Sequence, residues 1–307
     1  MTVSDPGQVD AAIAQVSPNA ACPGSAAVPA VGFLKEVRMI ARSRTARPLG
    51  VILHRGKSAF DGSPYVVIMP LGKSSNAKTG SMLQTYIIRS HVHPVAAVQS
   101  GGDLAICNDC PMRGLVATAK RRSRKKNFRA CYVNVGQGPA MVYGAFRRGR
   151  YVDYSPVDHD QFIRGRKIRF GTYGEPVLIP LELMRHLAEI SGGWTGYTHQ
   201  WANLGYRDYQ RFLMASVHGL TGPWSREHAK SLGWRCFRTM RDGEPAPGEV
   251  LCPASKEAGH RLSCLTCNLC DGAGRRKAGL GCADVYIPGH GGKAIMSAVA
   301  NLPILQS

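Results

Sequence analysis

The 307-residue sequence contains no uninterrupted apolar run of the roughly 18 to 20 residues that a helix needs to cross a bilayer. Its beginning lacks the basic segment and continuous apolar stretch of a secretory signal, so the expected location is the cytoplasm, with no membrane partner. Acidic residues are also scarce. Asp and Glu total 20 against 39 Lys and Arg, which gives a formal charge of +19. That imbalance favours a polyanion through counterion release, and nucleic acid is the expected partner. A nucleotide-triphosphate loop is excluded at Gly72-Lys73-Ser74, because Val67 stands where the preceding glycine of such a loop belongs. Nothing in the sequence sets an oligomeric state.

Cysteine, by contrast, is plentiful, with ten residues. A reducing cytoplasm keeps thiols free, so clustered cysteines there point to metal rather than to a disulfide framework. Two clusters stand out. Cys107 and Cys110 form a Cys-x2-Cys pair with Cys131 further on, and Cys252, Cys264, Cys267 and Cys270 follow the spacing Cys-x11-Cys-x2-Cys-x2-Cys. Cys22 has no nearby partner, while Cys236 and Cys282 suit either small core residues or spare ligands.

Pattern divides the chain into four parts. Residues 1–47 are rich in Ala, Pro, Gly and Ser without a sustained period and read as a flexible leader. In 48–100 the runs GVILH, YVVIMPL and MLQTYIIRS, broken by turn residues, read as an N-terminal β segment. From 101 to 250 strands and helices alternate: strands at DLAIC and KIRFGTY, helices at PAMVYGAFRRGRY and IPLELMRHLAEIS, then shorter pieces through WRCFRTM. This predicts a parallel sheet, a partial βα barrel carrying the first metal site, whose active centre lies at the carboxyl ends of its strands. Residues 251–307 form a cysteine-rich C-terminal metal-binding lobe. The expected class is therefore α/β.

The choice of metal is open at both clusters. Zinc sites are usually built from two separated Cys-x2-Cys knuckles, each filling two corners of a tetrahedron. The later cluster instead resembles the ligand loop of bacterial ferredoxins, where a Cys-x2-Cys-x2-Cys run and a remote fourth cysteine hold one cluster. At the earlier cluster three thiolates leave one iron of a [4Fe-4S] cluster open; a zinc ion there would draw a fourth donor from His91, His93 or Asp109.

The segment FGTYGEPVLIP (Phe170 to Pro180) resembles the second strand of the radical SAM superfamily, with Gly174, Glu175 and Pro176 matching the end of its Gly-Gly-Glu-Pro segment. Tyr173 stands in place of the first glycine. The thiol spacing Cys-x2-Cys-x20-Cys also departs from that family's Cys-x3-Cys-x2-Cys. The resemblance implies one or two [4Fe-4S] clusters, with S-adenosylmethionine bound at Gly174, Glu175 and Pro176 and reductively cleaved at the Cys107, Cys110, Cys131 cluster. The wording CNDCP, CYVNVGQGP, TGYTHQW, MASV and CPAS is similar to an uncharacterised cysteine-rich family carried by bacteriophages and prophages, which implies the cytoplasm of a bacterial host.

Three further features bear on function. TGYTHQW, read as a strand, places Tyr197, His199 and Trp201 on one face, either as a buried ladder or as a substrate wall with His199 as proton donor or metal ligand. KRRSRKK supplies Lys120, Arg121, Arg122, Arg124, Lys125 and Lys126, a cationic stretch suited to phosphate, between Cys110 and Cys131. SHVHP resembles the His-hydrophobe-His pair of rolling-circle replication nucleases, with His91 and His93 on one strand face and Tyr206 or Tyr209 as nucleophile. His290, in PGHGG, reads as part of a turn. The function expected first is a radical SAM-like iron–sulfur enzyme acting on a nucleic acid or nucleotide; a zinc-stabilised nucleic-acid-binding protein and a rolling-circle-type nuclease are the alternatives.

Overall fold

The computed structural model describes residues 47–74, 76, 78–113, 129–240, 244–259, 262–272 and 283–289. Most of the expected leader, the run Lys120 to Lys126, Cys22, Cys282 and His290 lie outside the described residues.

The chain is mixed α/β. Strands β1 (Gly50–Lys57), β2 (Pro64–Pro70) and β3 (Leu83–Arg89) come first, and β1–β2 and β2–β3 pair antiparallel. Their apolar runs lie in the core: Val67, Ile68, Met69 and Ile87 have no exposed surface. Seven more strands follow: β4 (Val152–Asp153), β5 (Ile168–Tyr173), β6 (Trp194–Thr198), β7 (Met214–Val217), β8 (Cys236–Met240), β9 (Glu249–Leu251) and β10 (Asp284–Pro288). All pair parallel, in one sheet of order β4-β1-β2-β3-β5-β6-β7-β8-β10-β9.

Parallel neighbours need crossover connections. Helices α1 (Pro94–Ser100), α2 (Leu104–Cys107), α3 (Gly138–Arg147) and α4 (Pro156–Ile163) lie between β3 and β5, and α5 (Leu181–Ile190) joins β5 to β6. Helix α6 (Arg226–Ser231) joins β7 to β8, and α7 (Cys264–Cys267) lies between β9 and β10. Helix α5 shows why the periodicity was legible: Met184, Leu187 and Ala188 recur at helical spacing and are buried, while Leu181 is half-buried against the same core. Burying Met184 and Leu187 contributes roughly 1.5 to 3 kcal/mol each. Among the described residues no helix is long and apolar enough to cross a membrane.

Three local expectations are corrected. DLAIC is not a strand: Asp103 precedes helix α2, and its carbonyl accepts from the amides of Ile106 and Cys107 at 3.1 and 2.9 Å. The parallel partner of β5 on that side is β3. TGYTHQW is a strand only to Thr198. His199 turns to helical dihedrals (φ −92°, ψ −6°), because its amide is drawn to the Glu175 carboxylate, and a short 3-10 helix follows at Gln200–Ala202. Tyr197, His199 and Trp201 therefore have separate surroundings. Tyr197 packs on Phe237 with ring centroids 4.3 Å apart, and the Trp201 indole donates to the Ser216 carbonyl at 2.9 Å. Finally, β3 ends at Arg89, so His91 and His93 share no strand face; His93 instead caps α1, its Nδ1 accepting from the Val95 amide.

Candidate metal centres

The carboxyl ends of β5, β6 and β7 each deliver one metal-capable side chain within two residues of the strand: Glu175, His199 and His218. This is the edge at which open parallel sheets place their chemistry. Glu175 is directed there by its neighbours in the sequence. Gly174 has φ +79°, and a Cβ on it would come within 2.7 Å of the Ile87 side chain and 2.9 Å of the Ile87 carbonyl. Only glycine fits that approach. The Glu175 amide then donates to the Ile106 carbonyl at 2.7 Å, which fixes the turn against α2. The Gly-Glu-Pro segment thus has a packing reason of its own.

Helix α2 brings the thiols. It ends at Cys107, and Asn108 adopts φ 51°, uncommon for a side-chain-bearing residue, so that the chain reverses and the Cys110 amide donates to the Cys107 carbonyl at 3.1 Å. Cys131 returns to this knuckle from twenty-one positions away: its amide donates to the Met112 carbonyl at 2.9 Å, and its side chain and that of Cys110 pack around Met112. Cys107, Cys110 and Cys131 thus lie on adjoining segments, and of the three only Cys110 places its sulfur in the group with Glu175 and His199.

At the centre of the group, His199 Nδ1 lies 3.2 Å from Cys110 Sγ and 3.4 Å from Glu175 Oε1. Cys110, Glu175 and His199 offer ligand atoms that all lie within 4.8 Å of one another. Glu175 is only 4% exposed; its carboxylate accepts from the Thr198 hydroxyl at 2.7 Å and from the His199 amide at 3.2 and 3.3 Å. Asp109 accepts from the Gln200 side chain. On the far side of the imidazole, His199 Nε2 and His218 Nε2 are 2.9 Å apart.

The electrostatics are strained by like charge. Burial pushes the Cys107 and Cys110 thiols well above their ordinary range, and the Glu175 carboxylate and neighbouring thiols push them further. Burial raises Cys131 too, with the Arg129 guanidinium opposing it. Burial also raises Asp103 and Asp109, and holds His218 well below the usual imidazole value. The nearby guanidinium groups are engaged elsewhere: Arg113 pairs with Asp103 at 3.0 Å, and Arg129 donates to the Val133 carbonyl at 2.8 Å. A pocket of buried thiols and carboxylates, which Arg113 and Arg129 offset only in part, is suited to a metal, which stabilises thiolates.

The second cluster is also gathered. Cys252, directly after β9, and Cys264, Cys267 and Cys270, on and after α7, line one small pocket together with Thr195 and Tyr197 of β6. Helix α7 ends at Cys267, and Asn268 at φ 53° turns the chain toward Cys270. The Cys264 amide donates to the Lys78 carbonyl at 2.7 Å, and the Gly196 amide of β6 donates to the Cys270 carbonyl at 2.9 Å. Arg235 clamps the loop that follows, donating to the Leu269 carbonyl at 3.0 Å and the Ala283 carbonyl at 2.7 Å. Burial raises the Cys252 and Cys270 thiols; Lys78 opposes this at Cys252, and the other cysteines of the cluster raise both.

Other sequence-predicted residues lie apart from these centres. His91 and His93 are exposed at the start of α1, and the Tyr209 hydroxyl donates to the Ile179 carbonyl at 2.8 Å. Cys236 is buried in the main core. His218 escaped sequence reading altogether, although a histidine immediately after the buried run MASV in a βα succession was the available signal. The repeated Cys-Asn-x-Cys of the two knuckles was another. No protein-family model, curated protein or solved structure matches the chain.

Proposed function

We propose that this chain is a metal-dependent enzyme acting on a nucleic acid or nucleotide, with its chemistry at an iron–sulfur centre held by Cys107, Cys110 and Cys131. The observation that supports the reading is that the Cys107–Cys110 knuckle and Cys131 pack next to one another beside Glu175 and His199, at the carboxyl ends of adjacent parallel strands. Cys252, Cys264, Cys267 and Cys270 hold a second, auxiliary cluster in the same reading. The strands β5 to β8 are read as part of a βα barrel, and the setting as the cytoplasm of a bacterial host that carries a phage gene. The net charge of +19 supports a polyanionic substrate, with Lys120 to Lys126 as its phosphate-gripping arm.

S-adenosylmethionine fits this site poorly. Glu175, which would receive its ammonium group, is buried and already accepts from Thr198 and His199. No step is therefore assigned to that cofactor. The chain's own groups have clear duties: the thiolates hold the metal, Thr198 and the His199 amide orient Glu175, Gln200 orients Asp109, and burial excludes bulk water.

A second reading, a zinc-stabilised nucleic-acid-binding protein, is favoured by one observation. The close spacing of Cys110, Glu175 and His199 suits a single ion, whose bonds to nitrogen, oxygen and sulfur are about 2.0 to 2.3 Å. Metal analysis of anaerobically purified protein separates the two. Brown protein with several irons per chain, whose colour falls on Cys110→Ser, supports the enzyme reading; colourless protein with about two zincs overturns it.

A further inference from the structure

We infer that His199 ligates the metal of the first centre through Nδ1, and that His218 is the positioning residue that holds His199 in the tautomer this requires. The inference rests on the preceding reading that the centre holds a metal, and it adds a nitrogen ligand and its support to the three thiolates.

The geometry assigns the two ring nitrogens of His199 different neighbours. Nδ1 faces the thiol of Cys110 at 3.2 Å and the carboxylate of Glu175 at 3.4 Å, whereas Nε2 faces His218 Nε2 at 2.9 Å. At that separation one imidazole nitrogen carries a proton and the other accepts it. His218 is 2% exposed, and its amide donates to the Trp224 carbonyl at 2.8 Å, so its place at the end of β7 is fixed. Its ring lies nearly parallel to that of His199, at 17°.

An imidazole that offers its Nδ1 lone pair to a cation carries its proton on Nε2, and His218, which meets that N–H with its own Nε2 at 2.9 Å, keeps its proton on Nδ1. His218 Nε2 is then the acceptor, and His199 carries its own proton on Nε2. The Nδ1 lone pair of His199 is left directed at a carboxylate oxygen and a sulfur. In the metal-free chain the Cys110 thiol proton faces that lone pair at 3.2 Å, and a cation that displaces the proton is coordinated by sulfur, nitrogen and carboxylate together. A ligating histidine that donates its other N–H to a buried acceptor is the usual support of a metal site.

The test uses the full chain purified anaerobically, with iron and zinc quantified and X-ray absorption recorded at the edge of the metal found. The wild-type spectrum is expected to contain imidazole scattering, and His199→Ala to lose it. In competition with a chelator, His218→Leu should weaken metal retention at the first centre about 10- to 100-fold. His218→Gln, whose amide oxygen can accept from His199 Nε2–H, should recover most of that loss. Absence of imidazole scattering in the wild type overturns the inference, as does unchanged retention in a folded His218→Leu. The wild-type and His199→Ala spectra decide the ligand even if His218→Leu does not fold. If Cys110→Ser changes neither metal content nor spectrum, the metal-centre reading falls together with the inference. If Cys110→Ser removes metal while the wild type shows no imidazole, the inference falls alone.

Discussion

The two cysteine knuckles are built alike and set in different company. Each is a four-residue helix ending in cysteine, Leu104–Cys107 and Cys264–Cys267, followed by an asparagine at positive φ and a second cysteine two residues later. Asn108 and Asn268 are the two side-chain-bearing residues with positive φ among the described residues. Asn268, with ψ 31°, lies in the left-handed region that asparagine's short polar side chain tolerates, whereas Asn108, with ψ −141°, lies outside it. The surroundings then diverge. The first knuckle meets a carboxylate and two imidazoles at the strand ends, whereas the second meets more thiols and a bracing arginine. One sequence pattern, Cys-Asn-x-Cys after a short helix, is therefore set in two surroundings, and neighbours from distant parts of the chain make the difference. On the proposed reading, mixed donors at a strand edge suit reaction, and the four-cysteine pocket, which Thr195 and Tyr197 also line, suits a staple or an electron store.

Removing the staple should have the largest effect. Structural metal sites contribute on the order of 10 kcal/mol to the folding of small units. Cys264→Ala should therefore unfold the segment around β9, α7 and β10, seen as new proteolytic cleavage and a lowered melting temperature. Cys110→Ala should leave that segment protected, and equal damage from both variants would end the contrast. Next in size, Glu249→Ala removes the carboxylate that holds the buried Arg238 guanidinium from both oxygens, leaving it the Glu244 carbonyl and the Tyr286 ring. Losing one partner of such a pair costs about 3 to 5 kcal/mol, readable by denaturant unfolding. The first centre should keep its metal in this variant, because the pair braces only the β8 to β10 side.

Thr198→Val probes the first centre in the same way. It removes a hydrogen bond to a buried carboxylate and should cost roughly 1.5 to 3 kcal/mol, with metal loss confined to the first centre. Smallest near neutral pH, and growing above it, is the effect of pH on metal-free protein. Buried thiols whose pKa is raised in the folded chain keep protons that the unfolded chain loses above about pH 8.5. The thiols' share of folding stability should therefore be flat from about pH 7 to that value and fall as pH rises through it. Metal-loaded protein, with its thiolates already ionised, should lack this fall; melting temperatures between pH 7 and about 10 read the difference. Glu175→Gln should speed alkylation of Cys110 in the metal-free chain at fixed pH, because it removes the negative charge that opposes ionisation.

Much of the architecture was legible from local pattern. The apolar runs from GVILH to MLQTYIIRS became β1 to β3, and the helical period of LELMRHLAEI became α5, because burial of one face is written directly into residue spacing. The failures have a common cause. DLAIC and the end of TGYTHQW look extended by composition, yet a closing helical turn at Asp103 and the Glu175 carboxylate at His199 override short-range preference. Short apolar runs do not distinguish strand from helix on their own.

The sequence by itself determined that the chain is basic, mixed α/β and equipped with two thiol knuckles, since charge, periodicity and Cys-x2-Cys spacing are local properties. Only the tertiary structure decided that Glu175 and His199 meet at Cys110, with His218 behind His199, while Cys252, Cys264, Cys267 and Cys270 line one pocket. Those meetings depend on which strands lie side by side, and the adjacency of β5, β6 and β7 follows from packing of the whole sheet rather than from any one stretch of the chain.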